Sequence, residues 1–191
     1  MSATTAARQS ALFATFSRRV VLPVLRSPLG RLVGTPVLGY YAVLTTTGRR
    51  SGLPRDTPLT YAILDGSVYV LAGHEPRTDW LANLRADPRV RVCLPGRVID
   101  GYAALVTDPA EAQRAATAIG RAAGYAMVAE GINPVTATDA QLGAHFAGRP
   151  VVRVRRHTGE VVAGPEDPGG RAWVLGHVVA PALVLGGAWW A

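Results

Sequence analysis

The feature that most constrains this chain is a series of short β-patterned segments joined by tight turns. Six strands are predicted, at about 40–47, 56–64, 67–72, 89–94, 97–106 and 150–156. Asp65-Gly66, between the second and third strands, is typical of a two-residue hairpin. Pro95-Gly96 marks another tight turn, between the fourth and fifth. Such closely spaced strands indicate a small barrel rather than a doubly wound sheet.

Helices are predicted between these strands. They run from Thr78 or Asp79 to Ala86, from Ala110 to about Ala123 after Asp108-Pro109, and from Thr138-Asp139 to Phe146. The first lies between the third and fourth strands, and the other two lie between the fifth and sixth. The fold class predicted is therefore α+β, mainly β. No G-x-G-x-x-G sequence opens a helix, which counts against ordinary dinucleotide binding.

Both ends of the chain differ from the central domain, which we place at 37–157. Residues 1–36 carry apolar side chains at helical spacing with arginines among them, which predicts a basic amphipathic helix. This arm would pack on the core or lie on a membrane surface. Residues 158–191 begin as a Gly/Pro-rich linker and end in WVLGHVVAPALVLGGAWWA, about the minimum length for a membrane span. A tail that inserts, one that packs on the barrel and one that is disordered are the alternatives.

The composition limits the kinds of partner. All 20 Lys+Arg residues of the 191-residue chain are arginine, the net charge is +7 and the pI is about 10.5. A basic balance suits an acidic ligand, an anionic membrane surface or nucleic acid, but no nucleic-acid-binding motif appears. Because the lack of lysine indicates a GC-rich coding background, arginine counts alone carry little weight.

The cysteine and histidine content excludes several kinds of site. The single Cys93 rules out an internal disulfide, and we expect a buried, inert thiol. The four histidines show no metal-ligand spacing. No secretory signal is recognised, so we expect a cytoplasmic protein, free or peripheral at the inner face of the membrane.

The segment from Leu44 to Arg55, LTTTGRRSGLPR, carries the clearest chemistry. It places Arg49, Arg50 and Arg55 in a glycine-hinged turn between the first two strands. Guanidinium groups offer planar bidentate donors, and glycine lets backbone N–H groups approach phosphate oxygens. The turn therefore predicts a site for an anionic ligand, with a solvated basic hairpin as the alternative.

Three blocks of the sequence resemble the deazaflavin-dependent nitroreductase family, a branch of the flavin/deazaflavin oxidoreductases. TTTGRRSGLPRDTPL is similar to that family's T-T-G-R-[KR]-[ST]-G-x-P-R-x-x-P-L signature, and the hairpin YAILDGSVYVLAG follows directly. DWLANLRADPRVRV is similar to the W-x-x-N-L-x-A-x-P-x-V segment. The resemblance implies a split β-barrel of about six antiparallel strands with flanking helices and an amphipathic N-terminal helix.

The same resemblance implies coenzyme F420 as the cofactor, with FMN as the alternative. F420 is a hydride-carrying 5-deazaflavin with a phosphodiester, a lactyl group and a polyglutamate tail. Arg49, Arg50 and Ser51 would meet the phosphate and carboxylates, and Arg55 would add a second cationic contact. The residues expected around the ring and its ribityl chain are Thr57, Pro58, Leu59, Ala72, Gly73, His74, Trp80, Asn83 and Leu84, with Arg77 in place of a lysine found in better-known members. The alternatives are that Trp80 and Leu84 are core residues and that Asn83 caps or braces the neighbouring strand.

The implied activity is hydride transfer from reduced deazaflavin to a small electron-poor acceptor, namely a quinone, an enone or a nitro compound. His74 or Tyr125 is expected to donate a proton to the product, with solvent as the alternative donor. Tyr125 is a loose counterpart of tyrosines that shape substrate binding in the nitroreductases. Two other functions stay open: a non-catalytic barrel that binds deazaflavin or a lipid, and a relative that binds FMN or haem. The protein is expected to be a monomer or a homodimer.

Overall fold

The computed structural model describes residues 39–73 and 78–162. The strands are β1 (Tyr41–Thr47), β2 (Pro54–Leu64), β3 (Ser67–Leu71), β4 (Arg89–Leu94), β5 (Arg97–Leu105) and β6 (Val151–Arg156). The helices are α1 (Asp79–Ala86), α2 (Pro109–Ala122), α3 (Tyr125–Ala129) and α4 (Asp139–Phe146). The amphipathic helix predicted in residues 1–36 and the hydrophobic tail lie outside the described residues.

The six strands form a closed barrel in the order β1-β2-β3-β6-β5-β4, and β4 closes it by pairing with β1. Every pairing is antiparallel. Closure gives each strand a partner on both sides, which satisfies backbone groups that an open sheet would expose at its edges. The predicted barrel of six antiparallel strands with flanking helices is confirmed.

Both predicted hairpin turns occur. Leu64 pairs with Ser67, and the two residues between them, Asp65 and Gly66, have φ values of 48° and 69°. A type I′ turn requires positive φ at both central positions, which explains the Asp-Gly sequence. In the second hairpin, Gly96 takes the positive φ of 77°. The turn residues therefore set the register of both strand pairs.

One apolar cluster fills the barrel. Strand side chains alternate in direction, so every second residue points inward. Ala42, Leu44, Val68, Val70, Val92, Ile99, Val152 and Val154 are all no more than 2% exposed in this cluster. Helix α1 adds Trp80, Leu81 and Leu84 to it. Helix α1 thus packs against the barrel at the end where β1 finishes.

A second apolar cluster lies outside the barrel. Ala62, Tyr69, Leu71 and Val151 point outward from β2, β3 and β6 and meet α2 and α4 through Ala115, Ile119, Leu142 and Phe146. Both helices have side-chain caps, because Asp108 accepts from the Glu111 N–H and Thr138 forms a capping box with Gln141. Among the described helices, α2 and α4 therefore cover the outer side of β2, β3 and β6. They do not cover the outer side of β1, β4 and β5.

Element boundaries differ slightly from prediction. β2 begins at Pro54 rather than 56, because Thr47 pairs with Pro54 and extends the first hairpin. Helix α3 is a separate element that the sequence does not predict; Gly124, at φ 53°, interrupts the chain after α2 and allows a new turn of helix. Within 39–73 and 78–162, no helix has both the length and the apolar character needed to cross a membrane.

Candidate functional site

Residues 48–55, here called the arginine turn, form a closed loop between β1 and β2. The Gly48 N–H donates to the Leu53 carbonyl at 2.9 Å, and the Gly52 N–H donates to the Gly48 carbonyl at 2.7 Å. A Cβ atom at Gly48 would lie 2.7 Å from Ser51 Oγ, and Gly52 has φ +67°. Gly52 therefore adopts a conformation that favours glycine, and Gly48 has little room for a side chain.

Arg49 points from the turn to helix α1. Its backbone N–H and its Nη1 both donate to Asn83 Oδ1 at 3.1 Å. Nη1 also forms an ion pair with Asp79 Oδ1 at 2.9 Å. The charge of Arg49 is therefore already engaged within the protein.

Asn83 connects the turn, helix α1 and strand β1. Its side chain is 4% exposed, and its Nδ2 donates to Thr46 Oγ1 at 3.2 Å. Thr46 is 1% exposed and also donates to the Arg55 carbonyl at 3.5 Å. Asn83 is thus the centre of a buried polar group at the rim of an otherwise apolar barrel.

Arg50 and Arg55 are the two arginines of the turn that remain open to an anion. Both are exposed. Arg55 Nη2 donates to Ser51 Oγ at 3.4 Å. Arg50 has no polar partner among residues 39–73 and 78–162. Two guanidinium groups on one short loop provide several directed donors for phosphate or carboxylate oxygens.

Arg89 and Arg91, on β4, are paired with carboxylates. The hydrogen bonds that Arg89 donates lower the pKa of Asp87 to about 2. The hydrogen bond from Arg91 lowers the pKa of Asp100 below its usual value. Both arginines are exposed, and their carboxylate partners distinguish them from Arg50 and Arg55.

The apolar residues predicted to face the ring lie together at the same end of the barrel. Ala72, Trp80 and Leu84 belong to the interior cluster, and Leu59 packs against it. Because strand side chains alternate, Thr57 shares the inward side of β2 with Leu59, and Pro58 points outward. Gly73, which follows Ala72, is exposed. Trp80 and Leu84 lie on α1, which contacts the arginine turn through Asp79 and Asn83, so these residues form an apolar rim beside the turn.

Three predicted residues receive no structural test. His74 and Arg77 lie outside the described residues. Tyr125 begins α3, but its side chain is not among those described. Their proposed roles stay predictions.

Asp79 and Thr46 are site residues that sequence reasoning does not identify. The sequence indicates Asp79 only as a possible helix cap, although it precedes Asn83 by four residues and so lies on the same face of α1. That spacing is the available signal for Asp79. Thr46 can be identified only from the contact between β1 and α1, which the sequence does not reveal.

A separate cleft of about 570 Å³ lies on the outer side of β1, β4 and β5. Its lining includes Thr45, Asp56, Arg91, Asp100 and Tyr102, and it contains none of the predicted cofactor residues. Its charged groups bond to their neighbours, since Thr45 donates to Asp56 at 2.6 Å and Arg91 to Asp100 at 2.8 Å. It shares Gly52 and Pro54 with the arginine turn, but most of its lining lies on the outer side of the barrel wall. Across the described residues, no group of three His, Cys, Asp or Glu side chains could hold a metal.

A small closed barrel with an arginine-rich turn beside an apolar rim is suited to a flat cofactor with an anionic tail. The sequence model of the F420H(2)-dependent quinone reductase family matches residues 18–139, which is more than half of the chain. The chain therefore belongs to the F420H(2)-dependent quinone reductase family. Coenzyme F420 is the cofactor of this chain, and the chain is an F420-dependent oxidoreductase.

Similar solved structures include a conserved hypothetical protein, Rv2991, from Mycobacterium tuberculosis, at 21% identity and a TM-score of 0.49, covering 67% of this chain and 79% of that one. An F420-H2 dependent reductase, FDR-A, is 22% identical with a TM-score of 0.41, covering 60% of this chain and 93% of that one. Family membership rests on the family match rather than on these likenesses.

The residues present fit this cofactor. Arg50 and Arg55 offer cationic donors to an acidic tail, and the half-buried Leu59, backed by the buried Ala72 and Trp80, offers an apolar contact to a ring. The charge of Asp79, on the helix beside the turn, is paired with Arg49.

Proposed function

We propose that this protein reduces a quinone, with enones and nitro compounds as chemically related acceptors. When bound, reduced coenzyme F420 supplies a hydride from its C5. The observation that carries the proposal is the position of two available arginines, Arg50 and Arg55, beside the apolar rim of the barrel. This arrangement matches a ligand with one charged end and one flat, apolar end.

The chain's residues contribute binding, orientation and exclusion of water. Arg50, Arg55 and Ser51 bind the phosphate and carboxylates, and Arg49 supports them from its place on α1. Thr57, Pro58 and Leu59 flank the ring or its ribityl chain. Trp80 and Leu84 keep water away from the ring, which strengthens electrostatic interactions there.

Ala72 and Gly73 bring backbone toward the ring at the end of β3. Gly73 has open space around its Cα, because a Cβ placed there would meet no atom within 4 Å. A planar ligand can therefore approach this backbone closely. His74 and Arg77, which follow it in the chain, are proposed to supply a proton and a cationic contact.

The proton for the product comes from His74, from Tyr125 or from solvent. Imidazole titrates near neutral pH and is a suitable donor at this position. A phenol can also donate through a hydrogen bond to a developing oxyanion. Substitution of His74 by Gln and of Tyr125 by Phe, with kcat measured for each, distinguishes the three sources.

A lipophilic quinone is the acceptor we favour. The hydrophobic tail and the basic residues 1–36 would bring such an acceptor to the barrel from a membrane surface. Deletion of 1–36 and 173–191 should then abolish co-sedimentation with anionic vesicles. Unchanged partitioning would contradict membrane contact without affecting the reductase proposal.

The reductase proposal is tested by anaerobic oxidation of reduced F420 in the presence of a quinone, an enone or a nitroarene. We expect turnover to be fastest with the quinone and to be lost in an Arg50→Ala, Arg55→Ala double variant. A protein that binds F420 but oxidises it with none of the three acceptors would instead support a non-catalytic binding role.

A further inference from the structure

We propose that Asn83 is a positioning residue that holds the arginine turn in its anion-binding shape without contacting the cofactor. This inference rests on the proposed function, because it assigns a role within the same site. It replaces the expectation that Asn83 closes the cofactor pocket by direct contact.

The hydrogen-bonding capacity of Asn83 is largely used inside the protein. Its Oδ1 accepts from the backbone N–H and from Nη1 of Arg49, each at 3.1 Å. An amide oxygen has two lone pairs, so it has no further acceptor site for a ligand. Its Nδ2 donates to Thr46 Oγ1 at 3.2 Å, and the residue is 4% exposed.

These bonds fix three chain segments against one another. Thr46 lies at the end of β1, Arg49 in the turn and Asn83 in α1. The bond to the Arg49 backbone is the important one, because it orients the Gly48–Arg49 peptide group, one residue before Arg50. Asp79, one helical turn before Asn83, holds the Arg49 guanidinium from the same face of α1.

Loss of the Asn83 side chain should therefore weaken binding of the charged end of the cofactor more than binding of its ring. Without Oδ1, the Arg49 N–H has no acceptor in the turn, and Arg50 and Arg55 lose their fixed spacing. A ligand must then order the turn when it binds, which lowers its affinity. A ligand that lacks the phosphate and glutamates never uses the turn and escapes this penalty.

The test compares two probes, F420 and the deazaflavin riboside that lacks the phospholactyl-glutamate tail. For Asn83→Ala we expect the Kd of F420 to rise by about tenfold or more. The Kd of the riboside should stay within about twofold. Asn83→Asp should recover most of the F420 affinity, since its carboxylate accepts from Arg49 and the Thr46 hydroxyl can turn to donate to it. Arg85→Ala, an exposed change on the same helix, is the control.

A second measurement does not depend on any ligand. Hydrogen exchange at the Arg49 amide, followed by NMR in the free protein, should be slow in the wild type and fast in Asn83→Ala.

Asp79→Ala, which removes only an exposed partner of Arg49, should show an intermediate loss of F420 affinity with an unchanged Tm. If Asn83→Ala does not fold, Asn83→Asp keeps the proposal testable, because its retained acceptor predicts slow Arg49 exchange and near-wild-type F420 affinity, and loss of either would contradict it.

An equal loss of affinity for both probes in Asn83→Ala would overturn the proposal. Such a result would indicate that Asn83 contacts the ring or that the whole site is lost. Arg49 amide exchange that is unaffected by the substitution would also overturn it. A wild-type protein that binds neither probe would contradict the cofactor assignment instead, and slow, Asn83-dependent exchange would then still support the positioning role.

Discussion

The Tyr69 hydroxyl donates a hydrogen bond to Glu111 Oε1 at 2.8 Å and so joins the barrel wall to helix α2. Arg153, on β6, donates to the same oxygen at 2.7 Å. All three side chains are largely buried, with Glu111 18% and Arg153 25% exposed. The carboxylate therefore holds two strands and one helix together on the covered side of the barrel.

Removal of this carboxylate should destabilise the fold. In Glu111→Ala, Arg153 becomes a partly buried charge without its acceptor, and the Tyr69 hydroxyl also loses its partner. We expect a loss of about 3 kcal/mol in the free energy of unfolding, measured by urea denaturation. Glu111→Gln, which keeps one acceptor, should lose less.

A double-mutant cycle with Tyr69→Phe provides the control. The two changes should be non-additive, because they remove the same hydrogen bond. Additive effects would show that the bond contributes nothing to stability and that Glu111 acts only through Arg153.

The backbone of the arginine turn makes a second prediction. Gly52 has φ +67°, and a Cβ added to it would meet no atom within 4 Å. Gly52→Ala should therefore destabilise the protein only through backbone strain, by about 1 kcal/mol. Gly48→Ala should be worse, because its Cβ would meet Ser51 Oγ at 2.7 Å and the Leu53 carbonyl at 3.1 Å. The reverse order of stability, measured by thermal unfolding, would contradict this geometry.

Buried tyrosines predict sensitivity to alkaline pH. Burial raises the pKa of Tyr61 to about 12. Burial also raises the pKa of Tyr40, whose ring lies edge-on to Tyr61 with centroids 6.2 Å apart. Above the ordinary tyrosine pKa of 10.0, the unfolded chain releases these protons and the folded chain retains them. The contribution of these tyrosines to the free energy of unfolding is therefore fully present below pH 10, and it should be lost progressively between pH 10 and 12.

The expected slope is about 1.4 kcal/mol per pH unit for each of these tyrosines. The chain has no lysine, so the other groups that titrate in this range are chiefly tyrosines, and burial also raises the pKa of Tyr41 and Tyr69. Urea denaturation between pH 9 and 11.5 measures the slope, and Tyr61→Phe should reduce it. Tyr102→Phe, at a residue that is 45% exposed, is the control and should leave the slope unchanged.

Local sequence signals are sufficient for most of the fold. Asp65-Gly66 and Pro95-Gly96 each fix a two-residue turn, so the hairpins and their registers follow from neighbouring residues. The closure of the barrel through β4 and β1 cannot be predicted locally, because that pairing joins residues such as Val43 and Cys93 that are distant in sequence. Closure of the barrel is predicted only through the resemblance to a family of split β-barrels.

The site is only partly predictable for the same reason. The sequence singles out Arg49, Arg50 and Arg55 as equivalent cations. The structure separates them, because Arg49 meets Asp79 and Asn83 across a gap of 30 or more residues in the chain. Which arginine is paired depends on how α1 packs against β1, and no local pattern encodes that contact.

The most direct measurement is a titration of the purified protein with coenzyme F420, followed by tryptophan fluorescence. The titration compares two double variants. One carries Arg50→Ala and Arg55→Ala in the turn, and the control carries Arg85→Ala and Arg97→Ala, which removes the same charge from exposed positions outside the turn. We predict saturable binding to the wild type and to the control, and a Kd at least about tenfold higher for the turn variant. Equal affinity in all three proteins, or no binding to the wild type, would contradict the assignment of the arginine turn as the F420 site.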